Sequence, residues 1–247
     1  MDSAIITGRN SVIEALKAGR SVTRIYITAG KDSQPLLRIR SMAREKGVPV
    51  EPVSADVMSR HARGTHHQDV VAFAAAVAFA DLDEVLSEVQ AKGDVPFLIL
   101  LDGIEDVHNL GAVIRTAECA GAHAVLVPKR RSAPVNETVG KTSAGAVEYM
   151  PVVRIGNTAS FLKKLKKQGF WVIGADMDGE TDYFHSSLTG PLVLVIGSEG
   201  KGISRLVREH CDRLVRIPMF GRVNSLNASV AAALLLYEAV RQRREQA

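Results

Sequence analysis

Three short stretches of this 247-residue chain gather side chains able to do chemistry, and each follows an apolar run. The first is Asp102-Gly103-Ile104-Glu105-Asp106-Val107-His108-Asn109-Leu110-Gly111, which leads into a helical stretch holding Arg115. Asn109 suits a helix N-cap, and Arg115 lies about a turn and a half further on, near a dipole end that favours anions. The second is Gly197-Ser198-Glu199-Gly200-Lys201-Gly202, where three glycines bracket a carboxylate. Glycine permits close backbone approach or a positive φ. The third is Ile217-Pro218-Met219-Phe220-Gly221-Arg222-Val223-Asn224-Ser225-Leu226-Asn227. Ser225 and Asn227 are natural caps for the helix that follows, yet Asn224, Ser225 and Asn227 together exceed what one cap requires. Polar loops of this kind carry function more often than cores do.

The same residues exclude several chemistries. The spacing Gly197, Gly200, Gly202 fits neither the phosphate-cradling G-x-x-x-x-G-K-[ST] nor the dinucleotide G-x-G-x-x-G, which removes kinase-like and Rossmann oxidoreductase readings. Gly197-Ser198-Glu199-Gly200 is not the nucleophile elbow G-x-S-x-G. His66 and His67 are adjacent and point apart on a strand, no H-E-x-x-H occurs, and Cys119 and Cys211 lie far apart, so no metal site or disulfide framework is expected. The two cysteines suit a reducing cytoplasm. Residues 1–10 lack a signal peptide's pattern and no apolar run approaches about 20 residues, so neither export nor a membrane span is expected.

The elements that must position these loops alternate. Strand candidates at 97–101, 124–127, 171–175, 192–196 and 214–217 are separated by helical stretches, the pattern of βαβ units around a parallel sheet buried on both faces, with its site at the carboxyl ends of the strands. The helix from 228 to 241 carries almost no polar residue before Tyr237 and is expected to be buried in a core or a subunit interface. Ahead of this, residues 1–79 read as a small separate α/β unit with a helix at 10–18, a strand at 24–28, a helix at 34–46 and a strand at 70–79. Residues 80–95, acidic and amphipathic, read as a linker, and 96–247 as the second domain. The net charge of +4 sits wholly in the first third: residues 1–80 hold 11 Lys and Arg against 7 Asp and Glu, whereas 81–247 are balanced. That excess fits either RNA contact or solubility. The run Lys163 to Lys167 reads as a solvated helix face.

The three loops, in this order and spacing, closely resemble the signature motifs of the SpoU (TrmH) family of RNA ribose 2′-O-methyltransferases. The matching stretches are His108-Asn109-Leu110-Gly111 with Arg115-Thr116-Ala117, then Ile196-Gly197-Ser198-Glu199-Gly200, then Asn224-Ser225-Leu226-Asn227-Ala228-Ser229. Residues 128–146 resemble the intervening segment, and the first 75 or so resemble the substrate-binding domain. The resemblance implies a SPOUT-type fold, a parallel α/β sheet whose C-terminal stretch threads a deep trefoil knot, joined to a small N-terminal RNA-binding domain. Topology rules alone would have argued against a knot.

The resemblance also implies S-adenosyl-L-methionine as cofactor, held around Gly197, Ile217 and Leu226 with Pro128 and Met219 as neighbours. A glycine at 197 would let the bent cofactor approach the backbone. Catalytic positions fall on Asn109, Arg115, Glu199, Ser225 and Asn227. Arg115 stays protonated and so stabilises oxyanion charge or holds a phosphate, Glu199 orients Arg115, and the other three supply neutral hydrogen bonds. Two positions depart from the pattern: Val107 where many relatives have proline, and Asp69 where they have glycine, which adds a negative charge to the RNA-binding domain. The implied activity is methylation of a ribose in RNA, most like the subgroup acting on a guanosine of 23S rRNA, by a cytoplasmic homodimer joined through the catalytic domain. A tRNA ribose methyltransferase and a non-catalytic rRNA-binding or ribosome-assembly protein are the alternatives. The set of five polar site residues argues against the last.

Overall fold

A computed structural model describes residues 3–62 and 66–246, and every candidate site residue lies within them. The chain forms two compact units, one of residues 1–78 with 135–149, the other of residues 79–134 with 150–247.

The first unit is built on β1 (Ser3–Thr7), α1 (Arg9–Lys17), β2 (Val22–Thr28), α2 (Gln34–Glu45), β3 (Val50–Val53), α3 (Ala55–His61) and β4 (Val70–Ala75). Its sheet runs β1-β4-β2-β3, with β4 antiparallel to both β1 and β2 and only β2–β3 parallel. Ile6, Ile25, Ile27, Val70 and Ala72 alternate onto one face and bury against Val12, Leu16, Leu36 and Ile39 of α1 and α2. The unanticipated strands β1 and β3 are four or five residues long, too short to declare a period. Asp69, one of the two departures, has φ 65°, a left-handed backbone natural to glycine, and its carboxylate meets Arg9 at 3.2 Å. The charge it adds is therefore paired rather than free.

The second unit begins with α4 (Leu82–Lys92) and β5 (Phe97–Asp102), α5 (Val107–Cys119) and β6 (Ala124–Pro128). The chain then supplies α6 (Glu137–Thr142) and a short 3₁₀ turn at Ala146–Glu148 to the first unit, and resumes with β7 (Val152–Ile155), α7 (Thr158–Lys167), β8 (Trp171–Ala175), β9 (Thr181–Asp182), β10 (Leu192–Gly197), α8 (Arg205–Arg208), β11 (Arg213–Arg216) and α9 (Ala228–Glu245). All seven strands are parallel, in the order β7-β6-β5-β10-β8-β11-β9. The central strands β5, β6 and β10 are apolar end to end because helices cover both faces. Leu98, Leu100, Leu126, Val193 and Val195 bury against Leu162 and Leu165 of α7 and Val207 of α8.

Two expectations need adjusting. Residues 80–95 are not a loose connector: Ala80 bridges to Val153, and Leu82 and Val89 of α4 are buried, Leu82 in the sheet's own core. The stripe Leu82, Val85, Leu86 and Val89 that made the segment look helical is also what anchors it. Residues 135–149, read as part of the second domain, pack in the first unit, a long-range arrangement that linear sequence does not display. In the single chain α9 is covered on one side, as a helix expected in a core or a subunit interface can be. Ala228, Ala232, Leu235, Leu236 and Ala239 face inward, whereas Val230, Leu234 and Tyr237 are exposed.

Within the first unit, Arg20 pairs with Glu148, their side chains only 11% and 7% exposed. Burial pushes the Glu148 carboxyl up from its ordinary range while Arg20 holds it down. Removing one partner strands a buried charge, so Arg20→Met should cost about 3 kcal/mol in urea unfolding, whereas Arg20→Met with Glu148→Leu should recover most of it.

Candidate active site

The parallel sheet places the ends of β5, β10 and β11 on one edge, and the three polar loops leave from those ends. Their side chains converge on one carboxylate. Glu199 Oε1 accepts hydrogen bonds from Asn109 Nδ2 at 3.0 Å, from Asn227 Nδ2 and from the Ala228 amide at 3.2 Å. Asn227 Nδ2 also donates to Asn109 Oδ1 at 2.9 Å, closing a triangle of three side chains drawn from three loops.

Local structure explains each position. Asn109 is not the cap of α5: Asp106 is, accepting from the His108 amide at 2.8 Å, and so Asn109 sits inside the first turn, 8% exposed, facing Glu199. Asn227 does cap α9, its Oδ1 accepting from the amides of Ser229 and Val230, which leaves its Nδ2 for Asn109 and Glu199. Ser198 and Gly202 exchange backbone hydrogen bonds of 3.1 and 2.9 Å and fold the Glu199 loop back on itself. A Cβ at Gly197 would lie 2.1 to 2.4 Å from the backbone of Gly202 and Ile203. In this structure glycine at 197 is demanded by the loop's own closure rather than by a ligand's approach.

Arg115 and Ser225 stand apart from the triangle. Both are exposed, neither makes a hydrogen bond or ion pair among the described residues, and Glu199 is held by asparagines rather than by Arg115. A cleft of about 420 Å³ opens beside Asn109 and Glu199, lined further by Asp102, Gly103, Ser198 and Arg131. A second, of about 490 Å³, adjoins it and is lined by Pro128, Lys129, Arg130, Arg131 and Asn157, with Asp102 and Ser204 common to both. Gly197, Ile217, Met219 and Leu226 line neither cleft. Ile217 is half-buried, and Met219 and Leu226 are exposed apolar groups on the loop after β11.

Residues 96–237 match the family model of the SpoU rRNA Methylase family, and residues 5–80 match that of the RNA 2′-O ribose methyltransferase substrate-binding domain. The Bacillus subtilis protein YacO, named as a TrmH family tRNA/rRNA methyltransferase, is 42% identical over 96% of this chain and 95% of its own. The chain belongs to the SpoU (TrmH) family of RNA methyltransferases. Two solved family structures extend the likeness. The SpoU methyltransferase AviRb from Streptomyces viridochromogenes, in complex with AdoMet, superposes with a TM-score of 0.81 at 28% identity over 97% of this chain and 90% of its own. An AdoMet-bound rRNA methyltransferase from Sinorhizobium meliloti gives 0.78 at 25% identity, over 97% and 87%.

Against the family frame, the residue that sequence reasoning missed is Arg131, which lines both clefts. Its left-handed backbone, φ 55°, leaves no mark in the sequence, where Arg131 stands only as part of the 128–146 intervening segment. Among the described residues no group of three or more His, Cys, Asp and Glu could hold a metal, and no helix is long and apolar enough to cross a membrane. Burial pushes the Cys211 thiol up to about 12, so it is inert as a nucleophile at neutral pH. Iodoacetamide at pH 8, followed by peptide mapping, should leave Cys211 unmodified in the folded protein and label it readily in urea.

Gly197→Ala tests loop closure. The added methyl forces the 198–202 loop open, and the variant should lose about 2 kcal/mol or more in chemical denaturation together with its methyl-transfer activity.

Proposed function

We propose that this protein transfers a methyl group from S-adenosylmethionine to a ribose 2′-hydroxyl of RNA, with a guanosine of 23S rRNA as its target. The observation that carries the reading is the Asn109–Glu199–Asn227 triangle, which ties the three signature loops to a single carboxylate oxygen. Family membership supports RNA as the substrate. The extension of the likeness through the N-terminal unit to an rRNA methyltransferase supports the ribosomal choice.

The residues present fit the cofactor. Folding leaves Ile217, Met219 and Leu226, which line neither cleft, incompletely covered on the loop after β11, where a ring system would cover them. Gly197 and Pro128 end β10 and β6 on the same carboxyl side of the sheet. When bound, the cofactor supplies an electrophilic methyl on a sulfonium. The hydroxyl oxygen must form its bond to carbon as the carbon–sulfur bond breaks, and the hydroxyl proton must leave.

Positioning dominates such a transfer. Glu199 is fixed through Oε1, and Oε2 carries no hydrogen bond among the described residues, so it is open to the ribose hydroxyl. Asn109 and Asn227 are positioning residues whose bonds are spent on Glu199. Ser225 offers a free hydroxyl to ribose or phosphate, and Arg115 an unpaired guanidinium for developing oxyanion charge. The likeness to solved SpoU methyltransferases supports the knotted threading, and the exposed apolar stripe Val230, Leu234 and Tyr237 supports a homodimer through the catalytic domain.

The test is incubation with tritiated S-adenosylmethionine and total RNA from cells lacking the protein, mapping label as alkali-resistant 2′-O-methyl nucleotide. Label in 23S rRNA is expected. Glu199→Gln and Arg115→Ala should each lower kcat about 100-fold or more with unchanged thermal stability. Label confined to tRNA would move the substrate to that class, and none in any RNA would favour the ribosome-assembly role.

A further inference from the structure

The turn between β6 and the segment leading to α6 carries Lys129, Arg130 and Arg131, three consecutive cations on the wall of the second cleft. It is fixed at three points. The Lys129 amide donates to Ile155 O at 2.8 Å at the end of β7, Ser132 Oγ donates to Pro128 O, and the Ala133 amide donates to Ile104 O at 2.8 Å on the loop after β5. Between these anchors Arg131 holds φ 55°, a region that a non-glycine residue occupies at a cost of about 1 kcal/mol. A turn so pinned has the Cα–Cβ direction of its arginine set by the backbone, and the flexible guanidinium extends from a fixed point on the cleft wall.

The three cations are uncompensated. Some arginines of this unit pair with nearby carboxylates, as Arg208 does with Asp176 and Asp178 and Arg216 with Asp182, while others, Arg115 among them, make no such pair among the described residues. Lys129, Arg130 and Arg131 are exposed and none makes a side-chain hydrogen bond or ion pair among the described residues. The one carboxylate on the same wall, Asp102, is engaged by the Ser204 amide at 2.7 Å. Arg131 also faces the adjoining cleft that holds Asn109 and Glu199.

We infer that Lys129, Arg130 and Arg131 form a phosphodiester-binding track that seats the RNA backbone next to the reacting ribose, with Arg131 on the phosphate nearest Glu199. This rests on the RNA-methylating reading above. Charge separates a phosphodiester from the other anion at hand, the cofactor's single carboxylate. S-adenosylmethionine carries a sulfonium and an ammonium as well, so three unpaired cations repel it on balance while favouring a polyanion. Arginine's fork suits phosphate bidentately.

The test is the salt dependence of binding, which reads phosphate contacts without turnover. A mixed-sequence single-stranded RNA of about 20 nucleotides is titrated against the full protein between about 50 and 200 mM salt, where each phosphate contact contributes about 0.7 to the slope of log affinity against log salt. Lys129→Ala with Arg130→Ala and Arg131→Asn should flatten the slope by about 2, asparagine being chosen because it tolerates the left-handed backbone. Arg131→Asn alone should raise KM for RNA more than it lowers kcat, and S-adenosylmethionine affinity, measured by calorimetry, should stay within twofold of wild type and so certify folding. An unchanged slope overturns the track. A loss of S-adenosylmethionine affinity with thermal stability intact also overturns it and assigns the cleft to the cofactor's carboxylate. A wild type that binds RNA with the expected slope yet methylates none sinks the catalytic reading and leaves the phosphate track standing.

Discussion

One carboxylate oxygen, Oε1 of Glu199, accepts from two loops other than its own, and most of what the catalytic unit does follows from keeping that arrangement. A hydrogen-bonded triangle of side chains from residues 109, 199 and 227 can close only if three strand ends lie on the same edge of a sheet. A wholly parallel sheet guarantees this, since every strand delivers its carboxyl end to one side. The cost is a sheet that must be covered on both faces, and the chain meets it with apolar strands and helices on either side. The polar cluster and the apolar core are thus one constraint: the core fixes the strand ends, and the strand ends fix Glu199.

Asn227 shows how economically the loops are joined. Its Oδ1 caps α9 while its Nδ2 holds Asn109 and Glu199, so the start of the last helix and the position of the carboxylate cannot vary independently. An aspartate would cap equally well but would set a second carboxylate against Glu199 with no donor between them. Serine would cap without reaching both partners. A residue type that is ordinary at an N-cap is here the one that satisfies both demands, which is why capping preference alone understates it.

The fold was largely legible because long apolar strands such as 97–101 and 192–196 declare a doubly covered parallel sheet, and the structure ends each within a residue of that reading. The short strands at Val152–Ile155 and Thr181–Asp182 were not, since four residues or fewer carry no period. At the site, the residue types in the three loops were readable, but the bonds among them were not. Asn109 looks like a cap from its neighbours, yet Asp106, three residues earlier, takes that role and releases Asn109 inward. Gly197 looks like room for a ligand, yet its own loop occupies the space. Each miss concerns a contact made by residues distant in sequence, or a backbone angle, as at Arg131, that side-chain identity does not encode.

Charge placement completes the argument. A transfer from a sulfonium to a hydroxyl beside a phosphate brings a cation and an anion into neighbouring space, and a site that mixed its own charges would bind each in the other's place. This unit weights its two clefts oppositely. The cleft beside Asn109 and Glu199 is lined by four carboxylates, Asp102, Glu105, Asp106 and Glu199, against Lys201 and Arg131, a balance that suits a cationic donor, whereas the pinned turn offers three cations against Asp102 alone, already held by the Ser204 amide. Arg131 stands where the two walls meet. There a guanidinium can face a phosphate beside the carboxylate cleft. The anchors at Ile104 and Ile155 fix the backbone that carries it, at the expense of a left-handed arginine.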